Sequence, residues 1–453
     1  MTDEITSGAS DFAVLGGGLA GLTFAYEAAR RGRRVVVLEK EADVGGLAQT
    51  LVFGDYRFDL GGHRFHSPQA HLTAWVRDIL DGEVVEVSRR SRICLNSRYV
   101  DYPLQFPSAI TGFGLLQGAK VLASYLKAAC WGGHGNDPSF EEWVVHRFGR
   151  ALYDIYFRPY TEKIWGLSCH DLSADWASQR IRVPSLMAVM RGSLTHATVA
   201  PSAMVSRFIY PPLGSGRVCD ALANKATNTG RVTILKNACV QGLSHDTASG
   251  WVIRHGDHEA RVSASRVIST IPLPHLLNIL PALEGHPPPQ HNLVYRGVIC
   301  VFLALDKSSI SSDTWTYFPD QHLVFGRTHE PRNWSARMAP AGKTSLCLEV
   351  FCSEGDALWR RPDSEIVAQS VKDLEGLKIV KRGEVLTSWI ARVPHAYPLY
   401  RVGYAESLKR VHSFLDRWPS LHVCGRTGTF TYLNMDKVID EGLTLAGRLC
   451  PAP

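Results

Sequence analysis

The sequence predicts an α/β fold that begins with a Rossmann-like nucleotide-binding unit and continues with an inserted helical segment and an antiparallel β-sheet. Three observations carry this prediction. Two short apolar runs flank a glycine-rich turn near the start, residues 69–209 have mostly helical periodicity, and strand-like runs occur at 295–305, 314–326 and 345–352. Strands that alternate with helices favour a parallel sheet, whereas consecutive strands favour an antiparallel one.

The first unit is a strand, a glycine-rich turn, a helix and a second strand, in that order. Residues 12–15 (FAVL) form the first strand, a helical pattern follows GGGLAG, and residues 35–38 (VVVL) form the second strand. In this unit the first glycine permits a tight turn, the second lets a pyrophosphate approach, and the third lets helix and strand pack closely. The predicted cofactor contacts of the turn are Gly16, Gly18, Leu19, Ala20 and Gly21.

An acidic residue closes the second strand. Glu39 is placed to accept hydrogen bonds from a ribose, and it would repel the 2′-phosphate of NADP. Residues 41–46 (EADVGG) then match the second signature of flavoproteins, in which a Gly-Gly turn passes close to FAD. This segment moves the prediction from NAD to FAD. The alternative for the first unit is a glycine-rich turn that binds no ligand. The predicted contacts here are Glu39, Lys40, Gly46 and Leu47.

Composition narrows the class of protein. The chain has 453 residues, a length that allows two or three domains. Hydrophobic residues make up 45% of it and charged residues 20%, which is typical of a globular protein. It has no apolar run of about 18 residues, and its start is acidic and polar, so we predict a cytoplasmic protein without a membrane span. Ten scattered cysteines without ligand spacing predict reduced thiols and no metal site.

The positive charge of the chain does not indicate a nucleic-acid partner, because the net charge of +6 is small for this length. Residues 30–34 close the first predicted helix, where cations suit the helix C-terminus, and we interpret them as a solvated helix end. Residues 88–92 (SRRSR) are equally ambiguous between a solvated surface and an anion site.

The later patterns lead to a three-domain prediction. Residues 141–157 have helical spacing, with Pro159 expected to end the helix, and residues 436–449 form a terminal helix. The predicted domains are a discontinuous FAD domain (1–68, 210–285 and 405–453), a mainly helical domain that covers the substrate (69–209), and an antiparallel-sheet substrate domain (286–404).

Four later motifs give the chain a resemblance to a known family. They are DLGGHRFH (59–66), PYTEKIWG (159–166), QRI (179–181) and GRTGTFTYLNM (425–435). With them, residues 10–448 resemble the UDP-galactopyranose mutase branch of the flavin amine oxidase and protoporphyrinogen oxidase superfamily. The resemblance implies a fold of the GR2 type of flavoprotein with non-covalently bound FAD.

The resemblance implies an isomerase that uses its flavin in an unusual way. In the mutases, N5 of the reduced flavin attacks the anomeric carbon of a sugar nucleotide, and the ring then recloses through a different hydroxyl. NAD(P)H is the expected reductant, and a sugar or sugar nucleotide is the expected small-molecule substrate.

Two other functions remain open at this stage. The first is a two-electron oxidoreductase, which would take a hydride from a C–H beside nitrogen or oxygen. The second is a flavin-stabilised interaction protein. A hydrolase is disfavoured because the sequence has no GxSxG elbow.

The resemblance also assigns roles to single residues. His63 would lie against the flavin and Arg327 near its N5, as the catalytic pair, although a core histidine and a surface arginine are the simpler alternatives. Trp165 and Tyr397 could likewise be a core residue and a turn residue. The further FAD contacts implied are Gly61, Gly62, His63, Gly425, Arg426, Asn434 and Met435. The substrate contacts implied are Trp165, Arg182, Tyr397 and Tyr432.

One departure from the mutase pattern concerns the diphosphate. Mutases have an arginine shortly after the Arg-Ile of the QRI motif, whereas here residues 180–185 are RIRVPS and Pro184 stands at that position. Arg182 is the nearest substitute, from two residues earlier. Bidentate recognition of phosphate by arginine is not readily replaced. The substrate is therefore expected to differ from UDP-galactose, or not to be a sugar nucleotide.

Overall fold

A computed structural model describes residues 10–95, 97–102, 115–131, 137–181, 206–246, 250–256, 260–281 and 286–451. In these ranges the α-helices are α1 (Leu19–Arg30), α2 (Ala70–Ile79), α3 (Leu115–Trp131), α4 (Phe140–Phe148), α5 (Arg150–Leu152), α6 (Arg158–Trp165), α7 (Ala174–Arg180), α8 (Gly216–Thr227), α9 (Leu273–Ile279), α10 (Asp363–Gly376), α11 (Tyr404–Leu415), α12 (Gly425–Gly428) and α13 (Met435–Leu449). None of the helices described there is long and apolar enough to cross a bilayer.

The strands of the same ranges are β1 (Ser10–Leu15), β2 (Val35–Leu38), β3 (Thr50–Phe53), β4 (Tyr56–Asp59), β5 (Val85–Ser88), β6 (Ser91–Leu95), β7 (Arg98–Asp101), β8 (Arg207–Tyr210), β9 (Val232–Leu235), β10 (Val240–Asp246), β11 (Gly250–His255), β12 (Ala260–Ser269), β13 (Tyr295–Leu305), β14 (Trp315–Tyr317), β15 (Arg327–His329), β16 (Thr344–Cys352), β17 (Val385–Pro398) and β18 (Leu421–Val423). They form two seven-stranded sheets and two small two-stranded sheets.

The first sheet has a parallel core in the order β18-β12-β1-β2-β9. An antiparallel hairpin, β10-β11, is added to the first half of β12. Side chains of a strand alternate between the two faces, so Phe12 and Val14 enter one hydrophobic core and Ala13 and Leu15 enter another. Helices α1, α2, α8 and α13 pack in the first core, and α9 and α11 in the second. This confirms the predicted Rossmann-like α/β fold.

The second sheet has the order β17-β13-β16-β15-β14-β6-β7, and all its pairs are antiparallel except β14 with β6. Every residue of β13 and β16 is buried because both faces of the sheet are covered. Helices α4 and α6 pack on one face and α10 on the other. The predicted antiparallel sheet is therefore present, and the domain boundaries themselves remain a prediction.

Several local predictions differ from the structure. Residues 314–326, expected to be one strand, contain only β14, and a loop then leads to β15, which begins at Arg327. Strands β3–β8, β10 and β17 were not predicted. Pro159 does not end the helix, because after a π-helical turn at Tyr153–Phe157 it lies in the first turn of α6. A proline is tolerated there because its missing N–H has no intrahelical partner.

Candidate active site

The glycine-rich turn between β1 and α1 combines one tightly packed glycine with one open glycine. A Cβ on Gly21 would lie 2.2 Å from the carbonyl oxygen of Gly16, so only glycine fits there. A Cβ on Gly18 would have no neighbour closer than 3.9 Å, from the Gly45–Gly46 turn beside it. Gly21 therefore serves the packing of the turn, whereas Gly18 leaves space for a ligand to approach the backbone.

Two features of this turn suit a nucleotide. The N-terminus of α1 has no side-chain cap and no acidic residue in its first turn, which leaves its N–H groups and partial positive charge for an anion. Buried Glu39 accepts hydrogen bonds from the backbone N–H of Gly17 at 2.7 Å and of Glu41 at 2.9 Å, which fixes its carboxylate at the end of β2. Lys40 beside it is exposed and pairs with Glu41 at 3.1 Å.

A second glycine loop is pressed against the second sheet. A Cβ on Gly62 would lie 2.2 Å from the ring of Trp315, in β14, so the indole lies directly on the backbone. Gly61 has a φ of +84°, and its Cβ would lie 3.5 Å from the carboxyl carbon of Glu349, in β16. These contacts place His63, the next residue, beside β14 and β16.

A buried ion pair lies under this loop. Arg327 of β15 is opposite Glu349 of β16 in the sheet register and donates a hydrogen bond to its carboxylate. It also donates to the hydroxyl of Tyr397 at 2.7 Å, and its guanidinium lies 5.3 Å from the Trp315 ring centre. Burial alone would lower the pKa of Arg327, but Glu349 and Tyr397 outweigh it and raise that pKa well above its ordinary value. The site therefore contains a permanently charged guanidinium.

Aromatic side chains from three distant segments meet next to this pair. Tyr397 and Tyr432 stack with ring centres 5.6 Å apart, and Trp165 meets Tyr397 edge-on at 6.1 Å. The guanidinium of Arg426 lies 4.8 Å from the Tyr432 ring centre. It donates hydrogen bonds to the carbonyl oxygens of Leu433 and Ala396. The structure thus brings together four residues, Trp165, Tyr397, Arg426 and Tyr432, that come from three separate segments of the sequence.

Two histidines of the site are held neutral. Burial lowers the pKa of His63 to about 3, and the charges of Arg426 and Arg327 add to this effect. Burial also lowers the pKa of His329, in β15, to about 3, with help from Arg327. Neither imidazole can then act as a cation at neutral pH, and each offers one donor and one acceptor nitrogen.

Buried polar atoms without a hydrogen-bond partner gather around the same loop. Among the residues described, they include Nδ1 of His63, Nε1 of Trp315, Nε of Arg327, Nδ1 of His329 and Oε1 of Glu349. Leaving a buried donor or acceptor without a partner costs about 1–3 kcal/mol. Five such atoms in one place indicate that a polar ligand belongs there.

Comparison with known proteins assigns the family. The chain matches the family described as flavin containing amine oxidoreductase over residues 19–450. It belongs to this family. The protein is therefore a flavoenzyme, and FAD is its cofactor.

Other solved structures share this fold. The fold is similar to the crystal structure of reduced UDP-galactopyranose mutase, with a TM-score of 0.86 and 20% identity over 98% of this chain and 94% of that one. It is also similar to wild-type putrescine oxidase bound to putrescine, with a TM-score of 0.65 and 18% identity over 98% and 99%.

A sequence match covers less of the chain. A Klebsiella pneumoniae protein described as a probable UDP-galactopyranose mutase is 21% identical over 36% of this chain and 42% of its own length. The chain spans less than half the length of the curated relatives that it matches.

The residues present fit FAD. The open space at Gly18 and the free N-terminus of α1 suit the pyrophosphate, and Glu39 suits the ribose. The unpartnered atoms around His63 suit the polar edge of an isoalloxazine ring, which carries both donors and acceptors. We therefore expect this family member to hold the nucleotide half of FAD on the first sheet and the flavin half between the two sheets.

The remaining predicted contacts take the following positions. Gly425 has a φ of +78°, and its Cβ would lie 2.7 Å from that of Ala20, which sets α12 against the start of α1. Asn434 precedes α13, whose first residue, Met435, is buried. Leu19 and Ala20 are buried in α1, and Leu47 packs at the edge of the core under the second sheet. Arg182 and Pro184 lie outside the described residues.

Sequence reasoning missed Glu349, Trp315 and His329. A signal existed for Glu349, because it is the one charged residue in the apolar run TSLCLEVFC, and a buried carboxylate needs a partner. Trp315 gave no such signal, since an aromatic residue in a strand is ordinary.

Proposed function

We propose that this flavoenzyme interconverts the pyranose and furanose forms of a sugar carried on a nucleotide. The observation that carries the proposal is the joint position of two guanidinium groups, Arg327 and Arg426, and the aromatic side chains Trp165, Tyr397 and Tyr432 around the His63 loop. Cations suit a diphosphate and aromatic faces suit a sugar or a base. The fold similarity to a UDP-galactopyranose mutase supports the same substrate class.

The chain's own residues would bind and orient the substrate. Arg426 has no carboxylate partner among the residues described, since its hydrogen bonds go to backbone carbonyls, so its charge remains available to an anion, either the FAD pyrophosphate that the family resemblance implies or an anionic leaving group. Arg327 is held by Glu349, which fixes its direction, while Tyr397 keeps a hydroxyl beside it. Neutral His63 can donate or accept one hydrogen bond without adding charge.

The flavin would supply the nucleophile. When reduced, FAD offers a nitrogen that can bond reversibly to the anomeric carbon, which splits one difficult exchange into two easier steps. The protein must keep water away during this exchange, and the fully buried Glu349 and mostly buried Trp165 show how closed the walls are. NAD(P)H is the proposed source of electrons.

A second candidate is a two-electron oxidation, because the matched family is described as an oxidoreductase. A single experiment distinguishes the two. Purified enzyme is reduced with dithionite under nitrogen and incubated with UDP-galactose and other sugar nucleotides, and the products are separated by HPLC. A mutase forms a new sugar isomer only when reduced and consumes no oxidant.

The opposite outcome is equally clear. If the oxidised enzyme loses its yellow colour with a substrate under nitrogen, or consumes oxygen with an amine or alcohol, the enzyme is an oxidoreductase and the mutase proposal is wrong. Arg327→Gln and Tyr397→Phe should lower kcat in either case. The matched control is Arg90→Gln, which replaces an exposed arginine paired with Asp313 and should leave kcat unchanged.

A further inference from the structure

Arg64 is a mostly buried arginine that has no acidic partner among the residues the structure describes. It follows His63, and its guanidinium lies 6.0 Å from the centre of the Trp315 ring. Within the described ranges it has no hydrogen bond and no ion pair. Burial lowers the pKa of Arg64, and the charge of Arg89 lowers it further. The other titratable groups that affect this pKa most are the tyrosines Tyr317, Tyr102 and Tyr432.

Arg89 belongs to the SRRSR stretch, in which the three arginines differ. Arg90 and Arg92 both pair with the buried carboxylate of Asp313, at 3.4 and 2.5 Å. Arg89 instead donates to the hydroxyl of Ser91 at 3.1 Å and lies 5.4 Å from the centre of the Tyr102 ring. The ambiguous basic cluster of the sequence is therefore two arginines that share one carboxylate and one arginine, Arg89, whose charge acts on Arg64.

A continuous aromatic wall joins the two arginines. Trp315, under Arg64, stacks on Tyr317 with ring centres 6.3 Å apart, and Tyr317 lies 4.8 Å from Tyr102, under Arg89. Rings hold a guanidinium in place without neutralising it. Residues 103–114 and 182–205, which follow Tyr102 and precede Ser206 in the sequence, contain no aspartate or glutamate.

We propose that Arg64 and Arg89 form a subsite for an anionic group of the ligand, a carboxylate or a phosphate, on the wall of Trp315, Tyr317 and Tyr102. Two like charges held close together without a carboxylate are unfavourable until an anion neutralises them. The inference rests on the proposed function only in taking this ligand to be the enzyme's own substrate. It specifies that substrate: a sugar nucleotide whose diphosphate, or whose acidic sugar, reaches Arg64 and Arg89.

Calorimetric titration of the FAD-loaded enzyme tests the subsite. The probes are UDP, UDP-galactose, UDP-galacturonate, inorganic pyrophosphate and galacturonate. The variants are Arg64→Gln and Arg89→Gln, with Arg90→Gln as the control that removes one charge from the same stretch. FAD content and circular dichroism verify folding, and Arg89 is the safer variant because its described side-chain hydrogen bond goes to a neutral hydroxyl.

We expect both variants to bind at least one anionic probe roughly 10- to 100-fold more weakly, as expected for the loss of charged hydrogen bonds, and the control to stay within about twofold. If UDP and UDP-galactose weaken equally, the group bound is the diphosphate. If only UDP-galacturonate or galacturonate weakens, it is the carboxylate of the sugar.

Two further outcomes separate this inference from the proposed function. Arginine-dependent binding of pyrophosphate or galacturonate, without conversion of any sugar nucleotide, would support the subsite and contradict the mutase. If the wild type binds none of the probes, or if both variants bind every probe as tightly as the control does, the subsite is refuted.

Discussion

Arg327 and Arg64 both place a guanidinium on the ring of Trp315, yet their surroundings are opposite. Arg327 contacts a fully buried carboxylate, Glu349, and a tyrosine hydroxyl. Arg64 contacts rings and lies near a second arginine. A buried charge is tolerated when the protein provides its partner. Among the described residues the chain therefore completes the Arg327 site itself, whereas we propose that a ligand completes the Arg64 site.

The largest expected effect comes from breaking the completed pair. Glu349→Gln keeps the shape of the side chain but leaves Arg327 buried without a counter-charge, which should lower the free energy of unfolding by about 3–5 kcal/mol. Urea unfolding followed by tryptophan fluorescence measures it. The control is Asp306→Asn, which breaks an exposed pair with Lys343 and should cost about 0–1 kcal/mol. An equal loss in both variants would show that the Arg327 pair is no stronger than a surface pair.

The charge of Arg327 should also affect the pH dependence of stability, because it helps to lower the pKa of His63 and of His329. The folded pKa of His63 and of His329 is about 3, below the ordinary 6.5, so between these values the unfolded chain binds protons that the folded protein does not. Stability should therefore fall as pH decreases from 6.5 towards 3, by about 1.4 kcal/mol per pH unit for each histidine. It should be unaffected by them above 6.5.

Substitutions separate the contribution of His63 to the pH dependence of stability from that of other groups. His63→Asn should reduce the slope of stability against pH by about one proton, and Arg327→Gln should raise the pKa of His63. His71→Asn, at an exposed position of α2, is the matched control. An unchanged slope in His63→Asn would mean that His63 takes up its proton in the folded state.

A single substitution can displace the Trp315 ring, which Arg64 and Arg327 both contact. In Gly62→Ala the added Cβ would meet the Trp315 ring at 2.2 Å, so the ring must move. Overpacking of this kind costs about 1–3 kcal/mol, and we expect FAD retention to fall with it because both arginine sites are disturbed. Gly376→Ala, where a Cβ would meet nothing within 4 Å, is the control. Normal stability and FAD content in Gly62→Ala would show that the loop adapts without cost.

The smallest effect on stability is expected at Arg64 itself. Arg64→Gln removes a charge that has no partner in the described protein, so the free energy of unfolding should change by less than about 1 kcal/mol and can even rise. The same substitution at Arg327 leaves Glu349 unpaired and should cost several times more. Thermal unfolding of the two variants side by side makes the comparison. A loss above about 3 kcal/mol in Arg64→Gln would show that Arg64 is structural.

How much the sequence predicted depends on how local each signal is. The turn from Gly16 to Gly21 is specified within six residues, because its backbone requirements are met by neighbours in the chain, and the structure has it where the pattern placed it. The pairing of Arg327 with Glu349 depends on the register of β15 against β16, and the sequence predicted neither the start of β15 nor the role of Glu349. The motifs around His63 and Trp165 were found through family resemblance, and their roles towards flavin and substrate remain predictions.

By itself, the sequence determined the α/β class, the nucleotide-binding turn and, through the glycine signatures, the FAD cofactor. These follow from short-range rules, in which glycine conformations, apolar runs and an acidic strand end act within some forty residues. Only the tertiary structure decided which charges are paired. Gly62 and Trp315 are about 250 residues apart, and Asp313 lies far in sequence from the two arginines that share its carboxylate, so these contacts depend on how the sheets pack. The same packing leaves Arg64 and Arg89 on one aromatic wall without an acidic partner among the described residues.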